Sequence, residues 1–155
     1  MSKAQQGLKL NFSSSPTVAK FFKSKGFVRG LMGPVGSGKS YACCAEIFRR
    51  AVEQKPSPRD GIKYSRWVIV RNTHPMLRTT TLKTWLELLP EHTWGPVKYS
   101  PPITHHIKLP SRAGAAGIDM EVIFLALDDP KDVRKLLSLE LTGAWVNECR
   151  ELPKA

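Results

Sequence analysis

The eight residues from Gly33 to Ser40, GPVGSGKS, constrain this 155-residue chain more than any other stretch. Their spacing, G-x-x-x-x-G-K-S, is that of a phosphate-binding loop. Glycines at 33, 36 and 38 allow the backbone to curl with its N–H groups turned inward toward anionic oxygens. The helix that must follow adds the positive end of its dipole. Lys39 is spaced to reach the β- and γ-phosphates and Ser40 to ligate Mg²⁺, while Pro34, Val35 and Ser37 complete the cradle. The motif therefore predicts ATP with Mg²⁺ as ligand. It also requires a strand before the loop, a helix after it, and an α/β sheet whose strand ends face the ligand.

The flanking pattern supplies those elements. Phe27 to Met32 (FVRGLM) reads as a strand entering the loop, and Ser40 to Gln54 as the helix leaving it, stopped by Pro56, Pro58 and Gly61. Upstream, Thr17 to Lys25 reads as a short helix. The continuous apolar run Trp67 to Val70 predicts a strand buried on both faces. Leu82, Trp85, Leu86 and Leu89 fall on one helical face. Ile103, Ile107 and Leu109 suggest a weaker strand, and Val122 to Leu127 another buried one. Asp129 and Pro130 look like the cap and first residue of a helix with Val133, Leu136 and Leu137 on its apolar face. Ala144 to Val146 is a last short strand. Alternating strands and helices predict an α/β fold of the P-loop NTPase type. We expect a mostly parallel sheet with helices on both faces, incomplete at its C-terminal end. Residues 1–25 form a lead-in segment and residues 26–155 the loop-bearing domain.

Composition narrows the partners. Lys and Arg number 24 against 13 acids, a net charge of +11. Such a surplus favours a polyanion, or serves only solubility. Lys20, Lys23, Lys25, Arg49, Arg50 and Lys55 concentrate it near the loop. Three cysteines, Cys43, Cys44 and Cys149, give no disulfide framework and fit a reduced compartment. Cys43 and Cys44 read as packing residues, as do Trp85, Trp94 and Trp145. The N-terminus lacks the apolar core of a signal peptide, and no run is long enough to span a membrane, so no membrane partner is expected. His105 and His106, adjacent on a strand, point to opposite faces and do not read as a zinc site.

Hydrolysis needs an acid at a strand end to hold the Mg²⁺ shell, and a carboxylate to polarise water. Two strand ends compete: VIFLALDD, ending at Asp128 and Asp129, and GAWVNE, ending at Asn147 and Glu148. On pattern alone the first is the better match. Asp129 and Asp128 can also be caps, and Glu148 can be an exposed acid.

The order GPVGSGKS, WVIVRNT, LRTTTLKTW and LALDDPKDVRKLLSLELTGAWVNE resembles the N-terminal ATPase region of large terminase subunits, the motors that package DNA into tailed-phage capsids. The resemblance runs from about residue 8 to the end. It implies Glu148 as the catalytic carboxylate, with Asn147 standing where the family has Asp and reaching the metal through water. It leaves Asp128 as the alternative metal residue. Many terminases carry a basic residue in the loop where this chain has Val35, so an arginine must come from elsewhere, Arg71 and Arg134 being the candidates. Phe12, Gln5 or Gln6 could meet the adenine. The resemblance further implies double-stranded DNA, a portal protein and a small terminase subunit as partners. It implies a homo-oligomeric ring, work in the cytoplasm of an infected bacterial host, and a coupling segment and nuclease domain beyond residue 155 of which this chain would be the N-terminal fragment. A small P-loop kinase, or a nucleotide-binding chain without hydrolysis, are the rival readings; the kinase would need an arginine-rich lid that the sequence lacks.

Overall fold

The sheet is organised around the apolar run at Trp67–Val70. The computed structural model describes residues 11–12 and 15–151. In it, this run becomes the middle of a nine-residue strand, β1 (Lys63–Arg71). Three helices come before and just after it in the chain: α1 (Pro16–Lys23), α2 (Lys39–Val52) and α3 (His74–Met76). A π-helical turn at Leu77–Leu82 and α4 (Lys83–Leu88) continue α3 without a break. There follow α5 (Glu91–Trp94), β2 (Val97–Lys98), β3 (Ile103–Leu109), β4 (Ile118–Ala126), α6 (Pro130–Leu137) and β5 (Gly143–Val146).

The five strands stand in the order β2-β3-β4-β1-β5. β1 pairs in parallel with β4 (Ile69 opposite Phe124) and with β5 (Ile69 opposite Trp145). β3 runs antiparallel to β4, and β2 antiparallel to β3. The sheet is thus α/β and parallel where β1, β4 and β5 meet, with an antiparallel flank that the sequence pattern did not indicate.

Helices meet both faces, but of the apolar side expected for α6 only Leu136 packs inward, Val133 and Leu137 being 44% and 82% exposed. Trp67, Ile69, Met120, Val122 and Phe124 pack with Cys44, Ile47, Trp85 and Leu88 in the larger core. On the opposite face Val68, Val70 and Ile123 meet Leu136, Leu139 and Leu141. Burying each such Val, Leu, Ile or Phe side chain contributes about 1.5–3 kcal/mol. Trp85 is fully buried, and its Nε1–H donates to His105 Nδ1 at 2.8 Å. His105 faces this core, whereas His106 on the other face is half-exposed and meets Asp119, so the two histidines do point apart.

One predicted element does not form. Phe27–Met32 is no strand: it runs as irregular chain, with Phe27, Val28 and Met32 exposed by 84% or more. A strand needs a neighbour for its backbone groups, and this segment is anchored elsewhere. The Arg29 guanidinium donates to Glu46 on α2 at 2.6 Å and to the Phe21 carbonyl at 3.3 Å, and lies over the Phe21 ring. Glu46 also accepts from Arg49 and Arg50 and is 4% exposed. Burial alone would raise its carboxyl pKa, but hydrogen bonds from the three arginines outweigh that and hold it below 4.5. The helix expected from Leu82 begins earlier, at His74, where the Thr73 side chain accepts from Met76 N.

Candidate functional site

The Gly33–Ser40 loop leads directly into α2, which starts at Lys39. Gly36 and Gly38 take φ of 79° and 76°, a left-handed conformation that strains any residue with a Cβ. Gly38 caps the helix, and the Ser37 N–H closes a turn onto the Pro34 carbonyl at 3.3 Å. Lys39 folds back over its own loop, donating from Nζ to the carbonyls of Gly33 (2.7 Å) and Pro34 (2.6 Å) and to Ser37 Oγ (3.3 Å). Val35 is fully exposed at the loop tip.

The direction of α2 decides where this loop lies. At its C-terminal end the Val52 carbonyl accepts from Lys63 Nζ at 2.5 Å, and Lys63 opens β1. The helix therefore runs against β1, and its N-terminal loop points toward the carboxyl edge of the parallel strands.

At that edge β1 lies between the two competing acids. The Arg71 carbonyl accepts from Leu127 N, and the Val70 carbonyl from Asn147 N, both at 2.9 Å. Asp128 and Glu148 each follow by one residue. They flank Arg71 from strands two places apart, about 10 Å at ordinary strand spacing. Arg71 is 6% exposed.

The two acids are held differently. Asp128 Oδ2 accepts from His74 N at 3.2 Å, which ties the β4 end to the start of α3. Asp129 caps α6 in a reciprocal capping box with Asp132, as expected. Glu148 has φ of 54°, the one non-glycine residue in the left-handed region among those described. That conformation stores about 1–2 kcal/mol, and such strain gathers at functional sites. Its carboxylate lies 3.6 Å from Arg150. Arg134, on α6, is exposed to solvent.

Asn147 is 8% exposed, with Nδ2 donating to Thr81 Oγ1 at 2.9 Å. Thr81, on the π-helical turn, was not singled out from the sequence. The only signal was the threonine run at Thr79–Thr81, unusual inside a helix because β-branched residues lose rotamer freedom there.

Phe12 packs edge-on against Phe22, whereas Gln5 and Gln6 lie outside the described residues. Among the described residues no group of three or more His, Cys, Asp or Glu side chains is placed to hold a metal ion. A Mg²⁺ in this loop would not need one, since its ligands would be phosphate oxygens, the Ser40 hydroxyl and water. The left-handed glycines, with open space where their Cβ atoms would stand, fit a phosphate cradle. An open cleft lined by Tyr64, Arg66, His106, Asp119, Glu121 and Glu140 lies at the other end of the sheet, where Arg66 pairs with Glu121 and His106 meets Asp119 across strands. No helix among the described residues is long and apolar enough to cross a membrane. No family model, no curated protein and no solved structure matches the chain.

Proposed function

We propose that this chain binds and hydrolyses ATP as the motor region of a large-terminase-like protein that drives double-stranded DNA into a viral capsid. The observation that carries the nucleotide reading is the Gly33–Ser40 loop, with two left-handed glycines opening directly onto α2 at Lys39. The order of motifs through Glu148 supports the terminase reading. A portal protein, a small terminase subunit, a ring of like subunits and the host cytoplasm belong to the same proposal.

In this reading Lys39 exchanges the carbonyls of Gly33 and Pro34 for the β- and γ-phosphates, and the first N–H groups of α2 take the phosphate oxygens. Ser40 and, through water, Asn147 would hold Mg²⁺, which would supply charge neutralisation on the phosphate oxygens. Glu148 accepts a proton from water as the water oxygen bonds to the γ-phosphorus and the bond to the β-phosphate oxygen breaks, releasing ADP and phosphate. The strained backbone at Glu148, against the cap-like bond of Asp128 to His74, supports Glu148 as the base. Asn147 supplies no charge, which favours as the second reading a nucleotide-binding chain without hydrolysis.

The test uses the full-length protein. Glu148→Gln should keep ATP binding and lower hydrolysis by about a hundredfold or more, the usual loss for a positioned base. Asp128→Asn should cost about 1 kcal/mol of stability at most, as for a cap. Glu148→Gly should be as inactive as Glu148→Gln yet more stable, since glycine takes the left-handed backbone freely. Normal hydrolysis by Glu148→Gln beside a dead Asp128→Asn would reverse the two roles.

A further inference from the structure

Four threonines sit close together in the helical stretch after β1, and three of them behave alike. The hydroxyls of Thr79, Thr80 and Thr84 each donate to the carbonyl four residues back, at 2.9, 2.7 and 3.0 Å. That is the ordinary fate of a threonine in a helix. Thr81 differs. It is 1% exposed, and its Oγ1 accepts from Asn147, 66 residues further along the chain. The π-helical turn Leu77–Leu82 is wider than an α-helical one, and such turns recur at functional sites. Its ends are anchored by Leu77 and Leu82, both buried in the larger core.

We infer that Thr81 is a positioning residue that aims the side-chain oxygen of Asn147 toward the Mg²⁺ shell; this rests on the nucleotide reading above. The Asn147 backbone is fixed by its N–H bond to Val70. Its amide is planar, so pinning Nδ2 on Thr81 fixes where Oδ1 points. Only Oδ1 can accept a hydrogen bond from metal-bound water; Nδ2 only donates. Without the Thr81 hydroxyl the amide can turn over and present its NH₂ group instead. An aspartate has two equivalent oxygens and needs no such orientation. An asparagine at the end of β5 does, and the threonine supplies it.

The experiment compares ATP affinity by calorimetry with EDTA and with Mg²⁺, on the full-length protein. Thr81→Val keeps the shape of the side chain. It should leave the Mg²⁺-free affinity at the wild-type value and reduce the Mg²⁺-dependent gain about threefold to tenfold. That is less than the roughly 10–100-fold lost when a direct partner of a metal ligand is removed. Thr81→Ser should restore the gain. Asn147→Ala should lose the same factor, and the double variant Thr81→Val/Asn147→Ala no more than either single one, because the two groups act as one. Should Thr81→Val fail to fold, Thr81→Ser and Asn147→Ala still carry the comparison: a full gain in the serine variant and a reduced one in the alanine variant support the assignment. An unchanged Mg²⁺ gain in Thr81→Val with a lowered unfolding temperature overturns it, leaving a buried polar pair that serves the fold alone. So does an equal loss of affinity with and without Mg²⁺. If wild-type protein binds no ATP, the nucleotide reading falls and this assignment with it. If it binds ATP through Lys39 but gains nothing from Mg²⁺, the nucleotide reading stands and this assignment alone falls.

Discussion

Lys39→Ala removes a cation that already has partners. Its ammonium donates to two carbonyls and a hydroxyl of its own loop, at 2.6–3.3 Å. Nucleotide must compete with these contacts, so the effect of the substitution is a difference between two sets of bonds. The contacts within the loop are exposed, and bonds of this kind contribute about 0.5–1 kcal/mol each, so the three contribute roughly 1.5–3 kcal/mol together. Two charge-assisted bonds to phosphate contribute about 1.5–3 kcal/mol each, roughly 3–6 kcal/mol together. The net loss of binding free energy should be about 1.5–3 kcal/mol, which corresponds to a fall in affinity of about 10- to 150-fold. Folding stability should barely move, within about 0.5 kcal/mol, because the loop is at the surface. Calorimetry with Mg²⁺-ATP gives the first quantity and denaturant unfolding the second. An alanine variant that binds within about threefold of wild type, or that loses affinity only because it has unfolded, refutes the assignment of the loop.

Two other outcomes are expected. His105 is buried and neutral, accepting from Trp85 at Nδ1 and donating from Nε2 to the Gly95 carbonyl at 3.0 Å; burial holds its pKa below 6.5, so the unfolded chain takes up the proton first. Stability from this group should be complete above pH 6.5 and decline as pH falls through the lower folded value, and denaturant midpoints that stay level across that range, or a slope unchanged in His105→Phe, would refute it. Lys20, Lys23 and Lys25 are exposed near α1 and carry part of the +11 charge, so duplex DNA should bind with little sequence preference and with a log–log salt slope of about −0.9 per phosphate contact; salt-independent binding, or none at low salt, would assign the charge to solubility.

The parts legible in the sequence are those whose information is local. The loop was readable because glycines at 36 and 38 and a lysine at the helix start are demands of the backbone itself, and the left-handed φ values at both glycines follow from them. Asp129 was readable because its cap bonds lie within three residues. The runs at Trp67–Val70 and Val122–Leu127 marked two-sided burial, and those strands form the centre of the sheet. The antiparallel flank was not legible. β2 has only Val97 and Lys98, too few residues for an alternation, and the direction in which β3 pairs is set by the loops at its ends.

The strand expected at Phe27–Met32, which does not form, shows how a local pattern can fail. An apolar run entering a glycine loop carries strand propensity but no partner of its own, since pairing is a contact between distant segments. A buried glutamate, a backbone carbonyl and a phenylalanine ring instead fix Arg29 beside α2, through bonds that span 8 and 17 residues. Nothing in FVRGLM announces that tie, because the decisive residue, Glu46, sits on the far side of the loop. Thr81 and Asn147 obey the same rule over a longer span. Each looks unremarkable in its own segment, a threonine in a run of three and an amide where an acid is usual. Their relation appears only when the π-helical turn and the end of β5 are folded against each other. The Gly33–Ser40 loop is therefore legible from backbone chemistry within one window, whereas the Arg29–Glu46 and Thr81–Asn147 pairs join segments that no single window contains.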